Sequence, residues 1–385
     1  MVSADYSTVI LRFGEMAIKS DQTRRRMKNM LIEQVESALR ENKIEFDRVH
    51  SVYGRIYIET TEAVKAAEVT AKIFGIVSTS PTVVTTADMD AILDTGYELA
   101  NVQFKKGLTF KVDARRIGKH EFSSQDVRTK LGERIFEGFP ALDLKVDLSN
   151  PEQEIYVEVR DEKAHIFTQT IKGVGGMPTG SQGKVVCTIS TGLDSPIAAY
   201  KVMKRGAIPV FVHLDNTPYA DENCADIAVQ QAQLLANYIH GFEVKLYIVP
   251  HAPDIEEAQK HAPEKMTCLF CKRNMLRIAR EIAIQENADA IVTGEIIGEQ
   301  ASQTTANLRV IENAVTDYPI LRPLAGDDKV DIEHMAQEIG TYKFAKESAS
   351  CCTLNPKYPS VRANPDLVAE CEVTMDLSIL SEELK

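Results

Sequence analysis

Four short apolar runs recur through the second half of the chain, and each is followed by a stretch with helical spacing of apolar residues. The runs cover residues 185–189, 208–214, 244–249 and 290–293. Strands that are apolar along their whole length and alternate with helices are typical of a parallel sheet covered on both faces. The pattern predicts an α/β fold with a doubly wound parallel sheet, and ligands are expected at the carboxyl ends of its strands.

The first half predicts two small α+β modules. Residues 8–13 and a hairpin around Tyr53 and Gly54, with Ile56 and Ile58 inward, are predicted strands beside an amphipathic helix at 21–40. The second module is predicted to have helices at 61–74, 88–102 and 124–136 and strands at 108–113, 154–159 and 164–169. Residues 172–184 contain five glycines. Such a composition disfavours both a helix and a central strand. The predicted division is 1–60, 61–171, a linker at 172–184, and a catalytic domain at 185–385.

The apolar run at 185–189 leads into a loop of small residues, Ser190-Thr191-Gly192-Leu193-Asp194-Ser195. A strand that turns through such a loop into a helix directs backbone N–H groups and the positive end of the helix dipole at one point, which suits a nucleotide phosphate. Pro196 is expected at the first helical position, with Asp194 or Ser195 capping the first turn. Asp194 is also suited to hold the Mg²⁺ that accompanies ATP. The Walker A spacing is not present around Gly183 and Lys184, which excludes a P-loop kinase or GTPase.

Composition is that of a globular enzyme with several domains, since the chain has 385 residues, 44% of them hydrophobic and 26% charged. No apolar run is long enough to span a bilayer, and the first residues lack the features of a secretory signal. We therefore expect a cytoplasmic protein that does not bind membranes. Seven cysteines in such a chain are expected to be thiols, redox centres or ligands rather than a disulfide framework.

Charge is distributed unevenly along the chain. The formal net charge of -12 argues against a uniformly basic nucleic-acid binder, but basic residues outnumber acidic ones in 12–30 and in 101–134. A single basic run is usually a solvated helix face, whereas two in one half of the chain favour an RNA-binding surface. The residues expected to contact RNA are Lys19, Arg24, Arg25, Arg26, Lys111, Arg115, Arg116 and Lys119.

Several segments resemble one enzyme family. The loop at 190–195 is similar to the Ser-Gly-Gly-x-Asp-Ser signature of PP-loop ATP pyrophosphatases, with Thr191 where glycine is usual, so that a positive φ there would strain the backbone. Residues 61–171 resemble a THUMP domain, a tRNA-binding module, and residues 11–19 resemble the opening of a ferredoxin-like domain. The segments 293–295, 298–304, 308–309 and 321–324 resemble blocks of tRNA 4-thiouridine synthetases. The resemblance covers nearly the whole chain. The chain is expected to be a short form of the family that lacks a rhodanese domain.

This resemblance implies a reaction and an ATP site. ATP would adenylate the O4 oxygen of a tRNA uridine, and a sulfur nucleophile would then displace AMP to give 4-thiouridine. By this resemblance, Lys272 and Gln303 would contact phosphates, and the Gly294 backbone would lie against the nucleotide. The backbones of His213 and Leu214 are expected to meet the adenine. The full implied set is Ser190, Thr191, Gly192, Leu193, Asp194, Ser195, His213, Leu214, Lys272, Gly294 and Gln303.

Cysteines supply the remaining chemistry. Cys268 and Cys271, at i and i+3 near the start of a helix predicted to run to about Asn287, share one face near its positive end, which lowers a thiol pKa. The spacing of Cys352 to residues 358–363 resembles that of the family's sulfur-carrying cysteine, which leaves Cys351 without a role. The implied catalytic set is Asp194, Cys268, Cys271 and Cys352.

Three hypotheses for these cysteines stay open. Cys268, Cys271 and Cys352 could hold an iron–sulfur cluster that delivers sulfide, they could form a disulfide and persulfide relay, or four thiolates could hold structural zinc. The sulfur donor, sulfide or a persulfide carrier, is open as well, and a homodimer is expected. The alternative functions are a PP-loop enzyme that modifies another tRNA base or uses ammonia, and an RNA-binding protein with a structural zinc site.

Overall fold

The computed structural model describes residues 5–14, 20–52, 54–347 and 352–376. Two compact units divide the chain, residues 1–176 and residues 177–385. Among the described helices, none is long and apolar enough to cross a bilayer.

The described part of the first unit is one nine-stranded sheet with four helices. Its strands are β1 (Thr8–Phe13), β2 (Arg48–Val52), β3 (Arg55–Glu59), β4 (Ile76–Thr86), β5 (Thr109–Ile117), β6 (Lys145–Val146), β7 (Gln153–Arg160), β8 (Lys163–Phe167) and β9 (Ile171–Lys172). Its helices are α1 (Asp21–Glu41), α2 (Ala63–Thr70), α3 (Met89–Gln103) and α4 (Ser124–Gly138). The strand order is β2-β3-β1-β4-β8-β7-β5-β6, with β9 paired to β4. The predicted hairpin is confirmed, and both Ile56 and Ile58 are buried.

Helix α1 separates apolar from basic residues. Its buried residues recur at helical spacing and include Leu31, Val35, Ala38 and Leu39. One face therefore packs into the core, as the amphipathic pattern predicts. Arg24, Arg25 and Arg26 lie in its first two turns and are exposed.

Strand β4 was not predicted from the sequence, although it is the longest strand described in this unit, with 11 residues. It pairs antiparallel with β1 through residues 76–82, with β9 at Ser78 and Thr79, and with β8 at 83–86. Pro81 falls between the segments paired with β9 and β8, at a break in the ladder where a strand tolerates proline. One strand thus joins the two halves of the sheet.

The second unit has a five-stranded sheet in which every described pair is parallel. Its strands are β10 (Lys184–Thr188), β11 (Ile208–Asp215), β12 (Lys245–Pro250), β13 (Ala290–Val292) and β14 (Ile320–Leu321). Its helices are α5 (Asp194–Lys204), α6 (Cys224–Ala236), α7 (Ala252–His261), α8 (Thr267–Glu286), α9 (Thr305–Glu312), α10 (Lys329–Ile339), α11 (Tyr342–Glu347) and α12 (Pro365–Val373). The predicted α/β fold with a parallel sheet is confirmed.

The strand order of this sheet, β12-β11-β10-β13-β14, fixes where a ligand can bind. The chain enters at the central strand β10, adds β11 and β12 on one side, and then crosses to add β13 and β14 on the other. The connections after β10 and β13 therefore leave in opposite directions and open a crevice at the carboxyl ends of these strands. The loop at 190–195 follows β10 directly and lies at this crevice.

Candidate functional site

The loop at 190–195 is held by hydrogen bonds among its own residues. The Ser195 hydroxyl accepts a hydrogen bond from the backbone N–H of Ser190 at 2.8 Å and lies 2.9 Å from the Ser190 Oγ. The Ser190 Oγ in turn accepts from the backbone N–H of Gly192 at 3.2 Å. The two serines thus close the loop on itself at the start of the helix.

The predicted cap of this helix is wrong in detail. Helix α5 begins at Asp194, its N-cap is Leu193, and no side chain makes a capping hydrogen bond there. Pro196 is therefore the third helical residue rather than the first. Asp194 and Ser195 lie inside the first turn, and Ser195 is turned back to the loop, which leaves the N–H groups at the helix start without a side-chain cap.

Thr191 causes no backbone strain. The described non-glycine residues with positive φ are Lys43, Asp143, Asp161 and Asn287, so Thr191 is not in the left-handed region. Its side chain is 2% exposed. The loop therefore accommodates threonine where glycine is usual in the signature.

Gly294, two residues after β13, packs directly against this helix start. A Cβ at Gly294 would lie 2.8 Å from both the Cα and the backbone nitrogen of Ser195. Only glycine allows the segment after β13 to approach the first turn of α5 so closely. The segment that follows β13 is thus in contact with the first turn of α5.

Asp194 is part of an ionic cluster. Its Oδ1 lies 2.6 Å from the Lys329 Nζ, which is also 2.8 Å from the Glu299 Oε1. Burial raises the pKa of Asp194, as does the nearby charge of Glu299, while Lys329 opposes the rise. Two carboxylates therefore converge on one point, and the cation that occupies it is a lysine ammonium.

A second ionic cluster lies beside Gly294. Glu295 accepts from Lys272 at 3.3 Å and from Arg322 at 2.8 Å. Burial alone would raise the pKa of Glu295, but Lys272 and Arg322 lower it below its ordinary value. The Gln303 side chain accepts from the backbone N–H of Ile296 at 3.3 Å.

His213, near the end of β11, borders the start of the loop. Its Nδ1 lies 3.0 Å from the Ile189 carbonyl oxygen, whereas its buried Nε2 has no protein partner in the described structure. Burial lowers the pKa of His213, which favours the neutral ring. Leu214 beside it is buried as well.

The cysteines form a second centre at the start of α8. The Cys268 Sγ donates to the Asn355 Oδ1 at 3.4 Å, and the Asn355 Nδ2 donates to the Cys352 carbonyl at 3.2 Å. Burial, followed by the charges of Cys271 and Cys352, raises the pKa of Cys268 to about 11. The lowered pKa expected from the helix dipole is therefore not found at Cys268. Cys351 lies outside the described residues.

Sequence patterns did not reveal His251 and Asp254, which are 0% and 2% exposed. The His251 Nε2 lies 3.3 Å from the Cys271 Sγ, and its Nδ1 lies 3.0 Å from the Asp254 Oδ2. Burial alone would lower the pKa of His251, but Cys271 and Asp254 raise it to about 10. A histidine 20 positions from a cysteine carries no local signal, because their contact depends on how α7 packs on α8.

The thiols within the described residues do not form a ready metal site. Among the described residues, no group of three or more histidine, cysteine, aspartate and glutamate side chains is arranged to hold a metal ion. The Cys271 sulfur is instead in contact with His251 and, at 3.9 Å, with the Met275 sulfur. The cluster and zinc hypotheses therefore gain no support from this arrangement.

In the first unit, the two basic stretches border neighbouring cavities. One cavity of about 650 Å³ is lined by residues that include Arg24, Arg25 and Arg55. The other, of about 250 Å³, is lined by residues that include Arg12, Arg55 and Arg115. Arg55, which the sequence pattern did not single out, lines both cavities and is paired with Glu158 at 3.1 Å. The two cavities form one basic surface, whose exposed positive charge includes that of Arg25 and Arg115.

The remaining predicted RNA contacts differ in their surroundings. Lys111 is paired with Glu154 at 2.8 Å, and Arg116 donates to the Gly118 carbonyl at 3.1 Å. Lys119 is exposed. Lys19 lies outside the described residues.

Comparison with known proteins gives the family. The family model described as "Thiamine biosynthesis protein (ThiI)" matches residues 180–377, the THUMP domain model matches 86–169, and the ThiI ferredoxin-like domain model matches 8–80. A Methanosarcina mazei protein named "Probable tRNA sulfurtransferase" is 37% identical over 98% of this chain and 94% of its own length. The chain belongs to the ThiI family of tRNA sulfurtransferases.

A second relative and a solved structure support the same family. A Macrococcus caseolyticus protein with the same name is 34% identical over 98% of this chain and 94% of its own length. A crystal structure of a 4-thiouridine synthetase in complex with RNA and bound ATP has a TM-score of 0.86 and 32% identity, covering 98% of this chain and 97% of that one. The family expected from the loop and the later blocks is confirmed.

The residues that the family resemblance assigns to ATP binding contact either the loop at 190–195 or the residues next to Gly294. His213 contacts Ile189 before the loop, and Gly294 packs on Ser195 within the loop. Lys272 contacts Glu295 and Gln303 contacts Ile296, the two residues that follow Gly294. The structure therefore brings these positions to one crevice, and their contacts with ATP stay a prediction.

Proposed function

We propose that this chain is an ATP-dependent tRNA sulfurtransferase that converts a tRNA uridine to 4-thiouridine. The observation that carries the proposal is the loop at 190–195, which leads at the crevice into the start of α5, where no side chain caps the helix N–H groups, and which packs against Gly294. The ATP-bound RNA complex of a similar 4-thiouridine synthetase supports the proposal. The loop geometry suits a pyrophosphate leaving group, since helix N–H groups stabilise phosphate oxygens.

The first step uses the ATP site. The uridine O4 attacks the α phosphorus, the bond from that phosphorus to the β-phosphate oxygen breaks, pyrophosphate leaves, and the uracil N3 proton is lost. We assign stabilisation of the phosphate charge to Lys272 and to the uncapped backbone N–H groups at the start of α5.

We assign Mg²⁺ to Asp194 as part of this proposal, and a bound ion would have to displace the Lys329 ammonium from the two carboxylates. Asp194 and Glu299 already converge on the Lys329 ammonium at 2.6 and 2.8 Å, and hard oxygen ligands of this kind are those that Mg²⁺ prefers. When bound there, Mg²⁺ would neutralise phosphate charge. With or without Mg²⁺, the residues of the chain are proposed to hold and orient the nucleotide.

The second step needs a sulfur nucleophile at C4. If sulfide is the donor, its sulfur bonds to C4, the bond from C4 to the adenylated oxygen breaks, AMP leaves, and a sulfide proton passes to N3. If Cys352 carries a persulfide, its terminal sulfur displaces AMP and leaves the base joined to Cys352 by a disulfide. A second cysteine thiolate then attacks Cys352, forms a protein disulfide and releases the thiolated base. A thiol reductant must afterwards reduce that disulfide.

An iron–sulfur cluster on Cys268, Cys271 and Cys352 stays a hypothesis, and no step is assigned to it. Iron and sulfide content, measured on protein purified without oxygen, tests it. Iron and sulfide that disappear in each of the three cysteine-to-alanine variants would support the cluster. Stoichiometric zinc would support the structural site.

The basic surface of the first unit is the proposed tRNA site. The exposed side chains of Arg25 and Arg115 lie at its two cavities, and phosphate contacts supply most of the non-specific affinity for nucleic acids. We retain 1–60, 61–171, the linker at 172–184 and 185–385 as the proposed domain division, and a homodimer as the proposed assembly.

The test separates the two chemical steps. Protein, ATP, tRNA and sulfide are mixed, pyrophosphate is measured, and the tRNA nucleosides are analysed for 4-thiouridine. We expect Asp194→Asn to lose both products by about 100-fold or more, whereas Cys352→Ala should keep pyrophosphate release. The matched control is Asp328→Asn, which changes an exposed aspartate beside Lys329.

Three outcomes would contradict the proposal. Wild-type protein that releases no pyrophosphate with tRNA would indicate an RNA-binding protein. Pyrophosphate release with a different modified nucleoside would indicate another PP-loop enzyme. Equal activity of Asp194→Asn and wild type would remove the proposed role of Asp194.

A further inference from the structure

The buried face of α6 contains a glutamine among apolar side chains. Helix α6 packs on β11 and on α5, the helix that starts at the loop 190–195. Gln231 lies in the middle of its buried face and is 1% exposed. A buried cysteine behaves as a small hydrophobe, so the glutamine is the polar member of the set. The buried residues of this helix are Cys224, Ile227, Ala228, Gln231, Ala232 and Leu235.

Within the described residues, the hydrogen bond found for the Gln231 side chain reaches the loop at 190–195. Its Nε2 donates to the Ser190 carbonyl oxygen at 3.0 Å. Because a carbonyl only accepts, the NH₂ group of the amide must be the group that faces it. The contact joins two positions that are 41 residues apart in sequence.

The other end of the same amide is unsatisfied. The Gln231 Oε1 is buried and has no hydrogen-bond partner in the described structure. An apolar side chain of similar size would fill this space without burying an unpaired oxygen, which costs free energy. Packing of the apolar face therefore does not explain an amide at this position, whereas the bond to the loop does.

This bond completes the restraint of the backbone where the loop begins. The N–H of Ser190 donates to the Ser195 hydroxyl at 2.8 Å, and its carbonyl is held by Gln231. The carbonyl of the preceding residue, Ile189, is held by the His213 Nδ1 at 3.0 Å. Two successive carbonyls are thus fixed by side chains from two neighbouring elements, β11 and α6.

Fixing the Ser190 carbonyl also fixes the N–H that follows it. The peptide unit is planar and trans, so a carbonyl directed at α6 turns the N–H of Thr191 to the opposite side. A reversed peptide unit would present an oxygen where the native one presents an N–H. Backbone N–H groups attract phosphate oxygens, whereas a carbonyl oxygen repels them.

We propose that Gln231 is a positioning residue for the pyrophosphate end of ATP. It holds the Ser190 carbonyl against α6 and thereby sets the peptide unit with which the loop begins. Gln231 acts through the backbone of the loop, and no bond-making or proton-transfer step is assigned to it. The inference rests on the proposed ATP site at 190–195.

The test compares two nucleotides that differ by a pyrophosphate group. Gln231→Met removes the donor and keeps a side chain of similar size and helix propensity. Calorimetric titration of the full chain with ATP should give a Kd raised by about tenfold or more. The Kd for AMP, which lacks the β- and γ-phosphates, should change by less than about twofold, because its contacts are independent of this peptide unit. Gln231→Leu, a second apolar variant, should behave in the same way.

The matched control is Gln233→Met, which makes the same change at an exposed glutamine of the same helix. It should bind both nucleotides as wild type does. Unchanged ATP affinity in Gln231→Met and Gln231→Leu would overturn the proposal. So would a parallel loss of ATP and AMP affinity in both variants, or their failure to fold in thermal unfolding experiments, since either result would give Gln231 a structural role alone.

A second measurement separates this inference from the proposed function. With tRNA and sulfide, Gln231→Met should show a raised KM for ATP. The amount of 4-thiouridine formed per pyrophosphate released should equal that of wild type, because the second step does not use the loop. Wild-type protein that binds ATP but forms no 4-thiouridine would defeat the proposed function, while the comparison of ATP with AMP would still decide the role of Gln231.

Discussion

Gly294 is the residue with the least freedom in the crevice, because a Cβ there would lie 2.8 Å from backbone atoms of Ser195. We therefore expect Gly294→Ala to push the loop or its own segment out of place. Pyrophosphate release should fall by about tenfold or more, since small misplacements of a positioning group cost large factors in rate. Steady-state kinetics with ATP as the varied substrate measures this.

The control for that substitution is Gly326→Ala. Nothing lies within 4 Å of a Cβ built at Gly326, and no positive φ is found there. Its activity should match wild type. Unchanged kinetics in Gly294→Ala would mean that the loop adjusts and that the close approach has no catalytic importance.

Single residues show where sequence reasoning reaches its limit. Asp194 was predicted because it stands in the local pattern of a strand-to-helix turn, and Gly294 because its segment resembles a block of the family. His251 and Arg55 were missed because their importance comes from partners that are distant in sequence, Cys271 for one and the two cavities for the other. Thr191 raised an expectation of strain that its actual backbone conformation removes.

At the scale of elements, α8 connects the thiol centre to the sheet. Its last residue, Glu286, accepts from Lys245 at 2.8 Å, from Tyr247 at 2.5 Å and from Lys184 at 3.2 Å. Hydrogen bonds from Lys245 and Tyr247 lower the pKa of Glu286 to about 2 from an ordinary value of 4.5. The carboxylate thereby fixes the end of α8 to β10 and β12.

This shift predicts a pH dependence of stability. An acid whose pKa is lowered on folding stabilises the protein above its ordinary pKa of 4.5, and this contribution is lost as the pH falls from there to about 2. Glu286→Gln should therefore be less stable than wild type at pH values above about 5, and the difference should shrink on acidification. Urea unfolding at a series of pH values measures it.

Glu370→Gln provides the comparison, since Glu370 is exposed on α12. Its free energy of unfolding should run parallel to that of wild type. A difference between wild type and Glu286→Gln that stays constant down to pH values near 2 would contradict the assigned role of Glu286.

The elements themselves were predictable to different degrees. The apolar runs gave β10, β11 and β12 within one or two residues, and the spacing of cysteines and apolar residues placed α8 correctly. Strand β4 escaped because Pro81 and a run of serine and threonine suppress the usual strand signal. Its formation depends on pairing with β1 and β8, which no local pattern records.

At the scale of the whole molecule, the basic surface of the first unit should determine the salt dependence of tRNA binding. Arg25→Gln and Arg115→Gln, alone and together, should each weaken binding. Each should also reduce the slope of log affinity against log salt by about 0.7 to 0.9 for every phosphate that the variant no longer neutralises. Filter binding at several salt concentrations measures the slope. Pyrophosphate release at saturating tRNA should be unchanged.

Lys72→Gln is the control for this surface, because Lys72 is exposed in the same unit and is not among the residues that line either cavity. It should leave the slope unaltered. Equal slopes for Arg25→Gln, Arg115→Gln and wild type would move the RNA site elsewhere.

Strand β4 has a consequence for any attempt to study the first unit in pieces. The matches to the ferredoxin-like and THUMP models stop at residue 80 and resume at residue 86, and both positions fall within this strand. A fragment that ends or begins there would expose unpaired backbone groups along a sheet edge, which is a template for aggregation. The two modules thus share one strand, and we expect a stable RNA-binding fragment to require both.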